Sequence, residues 1–250
     1  MKIALLCPTR ERPGDVVRLI RSIESTVHDL NNIKLYLGTD PDDETQHELD
    51  DCIRFKSYIT KITFPRYGDF PGLGVLWNYL ASQASEEIFA MVGDDFVYET
   101  RDWDQEIIKH FESGPEDNLL LVHCNDGLHG DGNKYTHTYG MKPGQFIAVN
   151  PFIHRKYYEL NGYYLREEFK HQFVDTWLDC VYHELKRKVY RHDIMIRHLH
   201  YTTTGTKDKT TSRLRQNSIY KNAKYIFDRL APDREQEITR LKNYIENETV

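Results

Sequence analysis

The sequence lacks the features that mark disulfide-bonded, secreted and membrane-spanning proteins. Its 250 residues include only four cysteines, which are far apart and form no Cys-x-x-Cys pair, so a thiolate zinc site is not expected. No run approaches the ~18 uncharged apolar residues of a membrane-spanning helix. The apolar run in the N-terminal "MKIALLCPTRERP" is too short for the core of a signal peptide. We therefore expect free thiols and a cytoplasmic location.

Charge is unevenly distributed in a composition that is otherwise typical of a folded protein. Hydrophobic residues make up 39% of the chain and charged residues 29%, which excludes a disordered protein. The net charge is −6, yet the segment from Lys186 to Arg229 holds twelve Lys or Arg and three Asp, a local charge of +9. Such a segment indicates either a phosphate-rich ligand or partner, or a solvated helix face.

Strand and helix patterns alternate in the first half of the chain. Strands are predicted at "KIALLCP", "IKLYLGTD", "ITKITFP" and "EIFAMVGDDF", with helices between them. This order predicts a mostly parallel sheet with helices on both faces and a ligand site at the carboxyl ends of the strands. In the second half we predict strands at "NLLLVHCND", "QFIAVNPFIH" and "VYRHDIMIRHLHY", and helices at "FVDTWLDCVYHELKRK" and over residues 213–230 and 231–248.

Paired carboxylates follow the fourth predicted strand. In "FAMVGDDFVYET", Asp94 and Asp95 come after an apolar run, and carboxylates are hard ligands that suit Mg²⁺ or Mn²⁺. One could bind the metal and the other a ribose hydroxyl; alternatively, Gly-Asp-Asp marks an ordinary turn. His198 and His200, two residues apart in a predicted strand, face the same side. They either complete a metal site or are ordinary half-buried histidines.

Two further groups of residues have both a chemical and a structural interpretation. Asp175 lies near the start of a predicted helix, where it either caps the helix or acts as a general base. Asp179, one turn further on, is the competing candidate for the base. Arg10 and Arg12 follow the first strand, where their guanidinium groups either bind phosphate or form surface ion pairs. The glycine-bearing "FPGLGVLWN" opens a helix whose N-terminus favours an anion.

In order and spacing these motifs resemble the GT-A glycosyltransferases, in particular the family-2-like enzymes. The resemblance spans roughly residues 3–215. "CPTRERP" is similar to the first-strand loop that contacts the nucleotide, "GLGVLWNYLASQA" to the helix before the metal motif, and "MVGDDFVYETRDWDQEI" to the metal-binding region. "FVDTWLDCVYHELKRKVYRHDIMIRHLHY" resembles the acceptor side. The metal motif reads Gly-Asp-Asp instead of Asp-x-Asp. The Gln-x-x-Arg-Trp element of processive enzymes is missing, which argues against polymer synthesis.

The resemblance implies a role for each candidate residue. Asp175 would be the general base and Asp95 a metal ligand, with His200 favoured over His198 as a further ligand. The residues placed at the nucleotide-sugar are Pro8, Thr9, Arg10, Arg12, Asp40, Gly74, Asn78, Asp94 and Lys207.

The implied activity is an inverting transfer of a sugar, dependent on Mn²⁺ or Mg²⁺, from a UDP-linked donor to an acceptor hydroxyl. The acceptor would be a glycan or, given the basic segment, a modified base in DNA. Two alternatives come from other classes: a metal-dependent nuclease or phosphohydrolase, and a non-catalytic nucleotide-binding module.

The implied fold is a single Rossmann-like GT-A domain over residues 1–212. Residues 1–100 would form its nucleotide-binding half and residues 101–212 its acceptor-binding half. The helices of residues 213–250 would pack against this domain.

Overall fold

Eight strands and eight α-helices are described by a computed structural model that covers residues 1–129, 146–200, 205 and 219–248. The strands are β1 (Ile3–Thr9), β2 (Ile33–Thr39), β3 (Ile59–Thr63), β4 (Ile88–Met91), β5 (Phe96–Tyr98), β6 (Leu121–Asn125), β7 (Phe152–His154) and β8 (Lys188–His198). The helices are α1 (Pro13–Thr26), α2 (Gln46–Ile53), α3 (Leu73–Gln83), α4 (Trp103–Glu112), α5 (Lys156–Asn161), α6 (Val174–Glu184), α7 (Ile219–Arg229) and α8 (Ala231–Glu248). A 3₁₀ turn at Leu30–Asn32 precedes β2.

The eight strands form one sheet in the order β3-β2-β1-β4-β7-β6-β8-β5. The strands β3, β2, β1 and β4 are parallel to one another, and β6 is parallel to β8. Antiparallel pairs join β7 to β4 and β6, and β5 to β8. The chain is therefore an α/β fold with a mixed, mostly parallel sheet flanked by helices, which confirms the predicted fold class.

Strand β1 shows why helices cover both faces of the sheet. Successive side chains of a strand point to opposite faces. Ile3, Leu5 and Cys7 accordingly belong to the core that includes side chains of α1 and α4. Ala4 and Leu6 belong to the core that includes side chains of α3 and α6. All five side chains are fully buried, as expected for a central parallel strand.

Two predicted strands are shorter than their apolar patterns. Strand β4 ends at Met91, and the paired carboxylates lie in the turn that leads to β5. The strand predicted over residues 145–154 is reduced to β7. Before β7, the backbone N–H of Ala148 donates to the side chain of Asp179 at 2.9 Å, and Pro151 has no N–H to donate. The Asp179 side chain therefore accepts one N–H that a longer strand would use in its ladder.

The described residues include all four cysteines and the eight α-helices. The four cysteine thiols are free, as predicted, and those of Cys7 and Cys124 are buried. Among the helices of the described ranges, none combines the length and the apolar character needed to cross a bilayer.

Candidate active site at the carboxyl ends of the strands

Asp94 joins the turn after β4 to the loop after β1. The register of the parallel strands brings the ends of β1, β2 and β4 to one edge of the sheet. There the Thr9 hydroxyl donates to Asp94 Oδ2 at 2.8 Å, and Arg12 donates to Asp94 Oδ1 at 2.8 Å. Asp94 is only 5% exposed. Burial raises the pKa of its carboxyl to about 6, although the charge of Arg12 opposes this shift.

Arg10 forms ion pairs with acidic side chains. This is one of the two alternatives that its position allows, the other being contact with phosphate. Its guanidinium donates to Asp40 at 2.7 Å and to Asp42 at 2.7 and 3.2 Å. Hydrogen bonds to these two carboxylates raise the pKa of Arg10 further. The Glu11 backbone N–H also donates to Asp43 at 2.9 Å. These contacts join the loops after β1 and β2, so both Arg10 and Asp40 have protein partners at this edge.

Asp95 pairs with a histidine that is 103 residues further along the chain. Antiparallel pairing of β5 with β8 sets Phe96 opposite His198, and His198 Nε2 lies 3.2 Å from Asp95 Oδ2. Burial opposes charge on both groups. Their mutual attraction outweighs it, lowering the pKa of Asp95 and raising that of His198. The structure thus sets His198 against Asp95, whereas the resemblance favours His200, whose ring centroid lies 5.2 Å from that of His198.

The Asp95–His198 pair has the chemistry of a divalent cation site. Among the described residues, no three His, Cys, Asp or Glu side chains are grouped as a metal-binding set. Mg²⁺ is commonly held by one or two carboxylates, with substrate phosphates and waters completing the coordination, and imidazole suits Mn²⁺. The second ring nitrogen of His198, Nδ1, is buried without a hydrogen-bond partner. Asp95 and His198 are therefore residue types that suit a divalent cation, which would take its remaining ligands from other groups.

Asp175 and Asp179 share a helix but have different surroundings. Asp175 lies in the first turn of α6, after the N-cap residue Phe173, so it is not the cap. It accepts hydrogen bonds from the N–H of Thr176 at 2.7 Å and from its hydroxyl at 3.3 Å. Burial raises the pKa of Asp175, and its charge contributes to the raised pKa of His198. Asp175 therefore interacts electrostatically with His198.

Asp179 is instead engaged in the protein interior. It is 2% exposed and forms a salt bridge with Lys188. It also accepts the N–H of Ala148 at 2.9 Å. With these partners, Asp179 holds the segment before β7 against α6.

Asp126, His129 and His171 lie near the site but were not among the site residues that the resemblance implies. Asp126, 3% exposed, accepts two backbone N–H groups and lies 2.7 Å from the Nδ1 of His129. Its carbonyl accepts the N–H of His198 at 2.9 Å. Burial, with the charge of His200, lowers the pKa of His171 to about 4. For the Asp126–His129 pair, the only sequence signal was an Asp-Gly turn with a histidine two residues after the glycine.

Gly74 and Asn78 contact the loop before α6. The Asn78 side chain donates to the Leu165 carbonyl at 2.8 Å and to Glu167 at 2.9 Å, and it accepts the N–H groups of Tyr164 and Leu165. All four of its hydrogen-bonding positions are thus occupied. A Cβ at Gly74 would lie 2.4 Å from the Arg166 carbonyl. These contacts are those of residues that pack the loop onto α3.

The N-terminus of α3 is covered by the same loop. The N–H of Leu73 donates to the Lys170 carbonyl at 2.8 Å. A Cβ at Gly72, where φ is 113°, would lie 2.9 Å from Lys170 Cα. At this helix end, where an anion was predicted, the N–H of Leu73 therefore has a peptide carbonyl as its partner.

Most basic side chains described in the Lys186–Arg229 segment have acidic partners. The ion pairs are Arg187–Asp117, Lys188–Asp179, Arg191–Glu106, Arg191–Asp193, Arg197–Glu99 and Lys224–Asp228. Their charge is thus locally balanced, which weakens the case for a nucleic-acid surface on β8. Lys207, predicted to contact the diphosphate, lies outside the described residues. Pro8 lies within β1, opposite Gly38 of β2.

Three solved structures have a similar architecture. S. aureus TarS residues 1–349 with UDP has 13% identity and a TM-score of 0.59, over 79% of this chain and 60% of that one. The same fragment with UDP-GlcNAc has 14% identity and a TM-score of 0.59, over 79% and 58%. Mannosyltransferase PcManGT from Pyrobaculum calidifontis, with GDP-Man and Mn²⁺, has 10% identity and a TM-score of 0.59, over 97% and 73%.

These likenesses establish the fold class. The chain has the GT-A fold, as the motifs implied. It spans about three fifths of the TarS fragment. No protein-family model matches the sequence, and no curated protein sequence matches it.

Proposed function

We propose that this protein is an inverting glycosyltransferase that moves a sugar from a UDP-linked donor to an acceptor hydroxyl. The observation that carries the proposal is the contact between Asp95 and His198 at the edge where the parallel strands end. The Asp175 carboxylate, whose charge acts on His198, is the base that the resemblance implies. Ligands of open α/β sheets bind at this edge. The similar TarS fragment was solved in complex with UDP and with UDP-GlcNAc, and PcManGT in complex with GDP-Man and Mn²⁺.

The chemistry is a single displacement. The acceptor oxygen forms a bond to the anomeric carbon from the face opposite the nucleotide, and the bond from that carbon to the phosphate oxygen breaks. Asp175 takes the acceptor proton as the hydroxyl attacks. Because burial raises the pKa of Asp175, its carboxylate is a stronger base than that of an exposed aspartate.

The donor diphosphate would lie beside Asp95. Asp95 and His198, with His200 as the alternative ligand, would hold Mn²⁺ or Mg²⁺, which stabilises the negative charge that develops on the departing diphosphate. Asp94 and Thr9 would contact the ribose, and Arg12 would support the phosphates. Lys207 would contribute a further positive charge to the diphosphate.

A thermal-shift panel tests the donor. UDP, GDP, UDP-GlcNAc and GDP-Man are compared with Mn²⁺ and with EDTA, and a ligand at 100 times its Kd should stabilise the protein by about 2.7 kcal/mol. We expect the largest shift with a UDP-linked sugar and Mn²⁺. A nucleotide response that is equal in Mn²⁺ and in EDTA would contradict the metal site. The absence of any nucleotide response would contradict the proposed function. A separate assay of phosphate release from nucleotides, without a sugar donor, would detect a phosphohydrolase.

The acceptor is tested by product formation. The ion pairs on β8 favour a glycan over DNA, because they leave little unbalanced positive charge on that strand. UDP release is measured with oligosaccharides and with duplex DNA that carries hydroxymethylated bases. A glycan reaction should be insensitive to salt, whereas a DNA reaction should weaken steeply as salt rises.

A further inference from the structure

The backbone just before the proposed base is held in an unusual conformation. Phe173, the N-cap residue of α6, has φ 72° and ψ 2°, a left-handed region that bulky residues rarely occupy. Its carbonyl accepts the N–H of Trp177 at 3.0 Å, so helix α6 begins at this strained residue. Such conformations persist only where surrounding contacts hold them.

Phe227 of α7 supplies contacts on both sides of Asp175. Its ring centroid lies 5.0 Å from that of Phe173 and 6.4 Å, edge-on, from that of Trp177. These two residues come two positions before and two positions after Asp175 in the chain. Phe227 also lies 6.2 Å from Phe169. One buried ring of α7 therefore packs against both ends of the turn that carries the carboxylate.

Glu237 of α8 fixes the same turn by hydrogen bonds. Its carboxylate is 2% exposed and accepts the indole N–H of Trp177 at 3.1 Å. The hydroxyls of Tyr157 and Tyr163 also donate to it. Arg234 lies over the rings of Trp177 and Phe227, at 5.2 and 4.2 Å. The position of Trp177 is thus set by groups on both C-terminal helices.

The direction of Asp175 follows that of its helix turn. Its carboxylate accepts hydrogen bonds from the N–H and the hydroxyl of the next residue, Thr176, which is part of the same turn. A tilt of the turn would therefore carry the carboxylate with it, and a displacement of about 1 Å can cost 100-fold in rate.

We infer that Phe227 and Glu237 are positioning residues that hold the first turn of α6, and with it Asp175, in the orientation that transfer requires. The inference rests on the proposed function. It assigns the C-terminal helices a role in the reaction that is distinct from their contribution to the core.

The test compares two substitutions in the C-terminal helices. Phe227→Leu keeps an apolar side chain but removes the ring contacts to Phe173 and Trp177. Leu241→Ala is the control, because it creates a cavity at a fully buried position of α8 and substitutes neither Phe227 nor Glu237. Each protein is assayed well below its own Tm. The readouts are amide hydrogen exchange in the first turn of α6, kcat, and the KM for the donor.

Phe227→Leu should speed amide exchange in that turn and lower kcat about tenfold, with the donor KM unchanged within about twofold. Leu241→Ala should lower Tm but leave kcat within about twofold. Glu237→Gln, which loses one acceptor, should behave like Phe227→Leu. Equal loss of kcat in Leu241→Ala, or unchanged exchange and kcat in Phe227→Leu, would overturn the inference. A wild-type protein that transfers no sugar overturns the proposed function, and the exchange data separate the two failures.

Discussion

Arg12 donates a hydrogen bond to the carboxylate of Asp94 at 2.8 Å, across 82 residues of sequence. The pair joins the turn after β4 to the loop after β1, and the Thr9 hydroxyl reinforces it. Even so, burial raises the pKa of Asp94 to about 6. The free energy needed to remove this carboxylate from water therefore exceeds the stabilisation that Arg12 and Thr9 provide.

This balance predicts how stability depends on pH. The folded protein binds the Asp94 proton more tightly than the unfolded chain, where the pKa is near 3.8. The resulting stabilisation is complete below the unfolded pKa and is lost as the pH rises through about 6. It amounts to about 2 kcal/mol between about pH 4 and pH 7. Asp94→Asn cannot titrate, so the free energy of unfolding of the wild type should fall by this amount relative to the variant.

Urea denaturation of both proteins at the two pH values measures the difference. A wild-type-minus-variant difference that is constant with pH would show that Asp94 does not titrate in this range.

Asp175 and Asp179 offer a matched pair of substitutions for the proposed base. Asp175→Asn should lower kcat about 100-fold or more, because the hydroxyl then loses its proton acceptor, while the Kd of the donor stays unchanged. Asp179→Asn should instead lower the free energy of unfolding by about 3 kcal/mol, since it leaves Lys188 without its buried partner. Steady-state kinetics, donor titration and denaturation distinguish the two. Near-normal turnover of Asp175→Asn would contradict its role as the base, and Asp179→Asn would then be assayed for turnover as well.

Gly93 controls the position of the proposed metal ligand Asp95. A Cβ at Gly93 would lie 2.5 Å from Asp95 Oδ1, so Gly93→Ala should push the carboxylate aside. We expect the apparent Kd for Mn²⁺ in the presence of UDP to rise about tenfold, as for other changes that misplace a ligand. Gly14→Ala is the control, because nothing lies within 4 Å of its Cβ. Unchanged Mn²⁺ affinity in Gly93→Ala would argue that Asp95 does not bind the ion.

Asn78 should matter for stability more than for donor binding. Its amide bonds four groups of residues 164–167, and Asn78→Ala leaves them unpaired. We expect the free energy of unfolding to fall by about 2 kcal/mol, with the donor Kd changed less than about threefold. Denaturation and calorimetric titration measure the two effects. A large rise in donor Kd at unchanged stability would support the nucleotide contact implied by the resemblance.

The α/β fold class could be predicted because it depends on local patterns. Apolar runs alternate with amphipathic segments, and this order is sufficient to predict a mostly parallel sheet. It is also sufficient to place Thr9, Asp40 and Asp94 at one edge, since parallel strands end on the same side. The terminal helix over residues 231–248 agrees with α8 for the same reason.

The partners of the candidate site residues could not be predicted in this way. Arg10 was equally compatible with phosphate and with carboxylates, and the adjacent end of β2 supplies the carboxylates. The resemblance implied that the Asn78 amide contacts the nucleotide-sugar. In the structure, the loop of residues 164–167 lies against this amide and hydrogen-bonds to it. Each of these outcomes depends on a segment that is distant in the sequence.

The sequence by itself determined the order of strands and helices and the clustering of acidic residues at strand ends, because periodicity and turn residues act over a few positions. Only the tertiary structure decided that His198 lies against Asp95 and that Asp179 is paired with Lys188. The antiparallel pairing of β5 with β8 sets the first of these contacts. The alternation of side chains within a strand decides which of them face the core. It does not select a partner strand that lies far away in the sequence, so the contact depends on the tertiary structure.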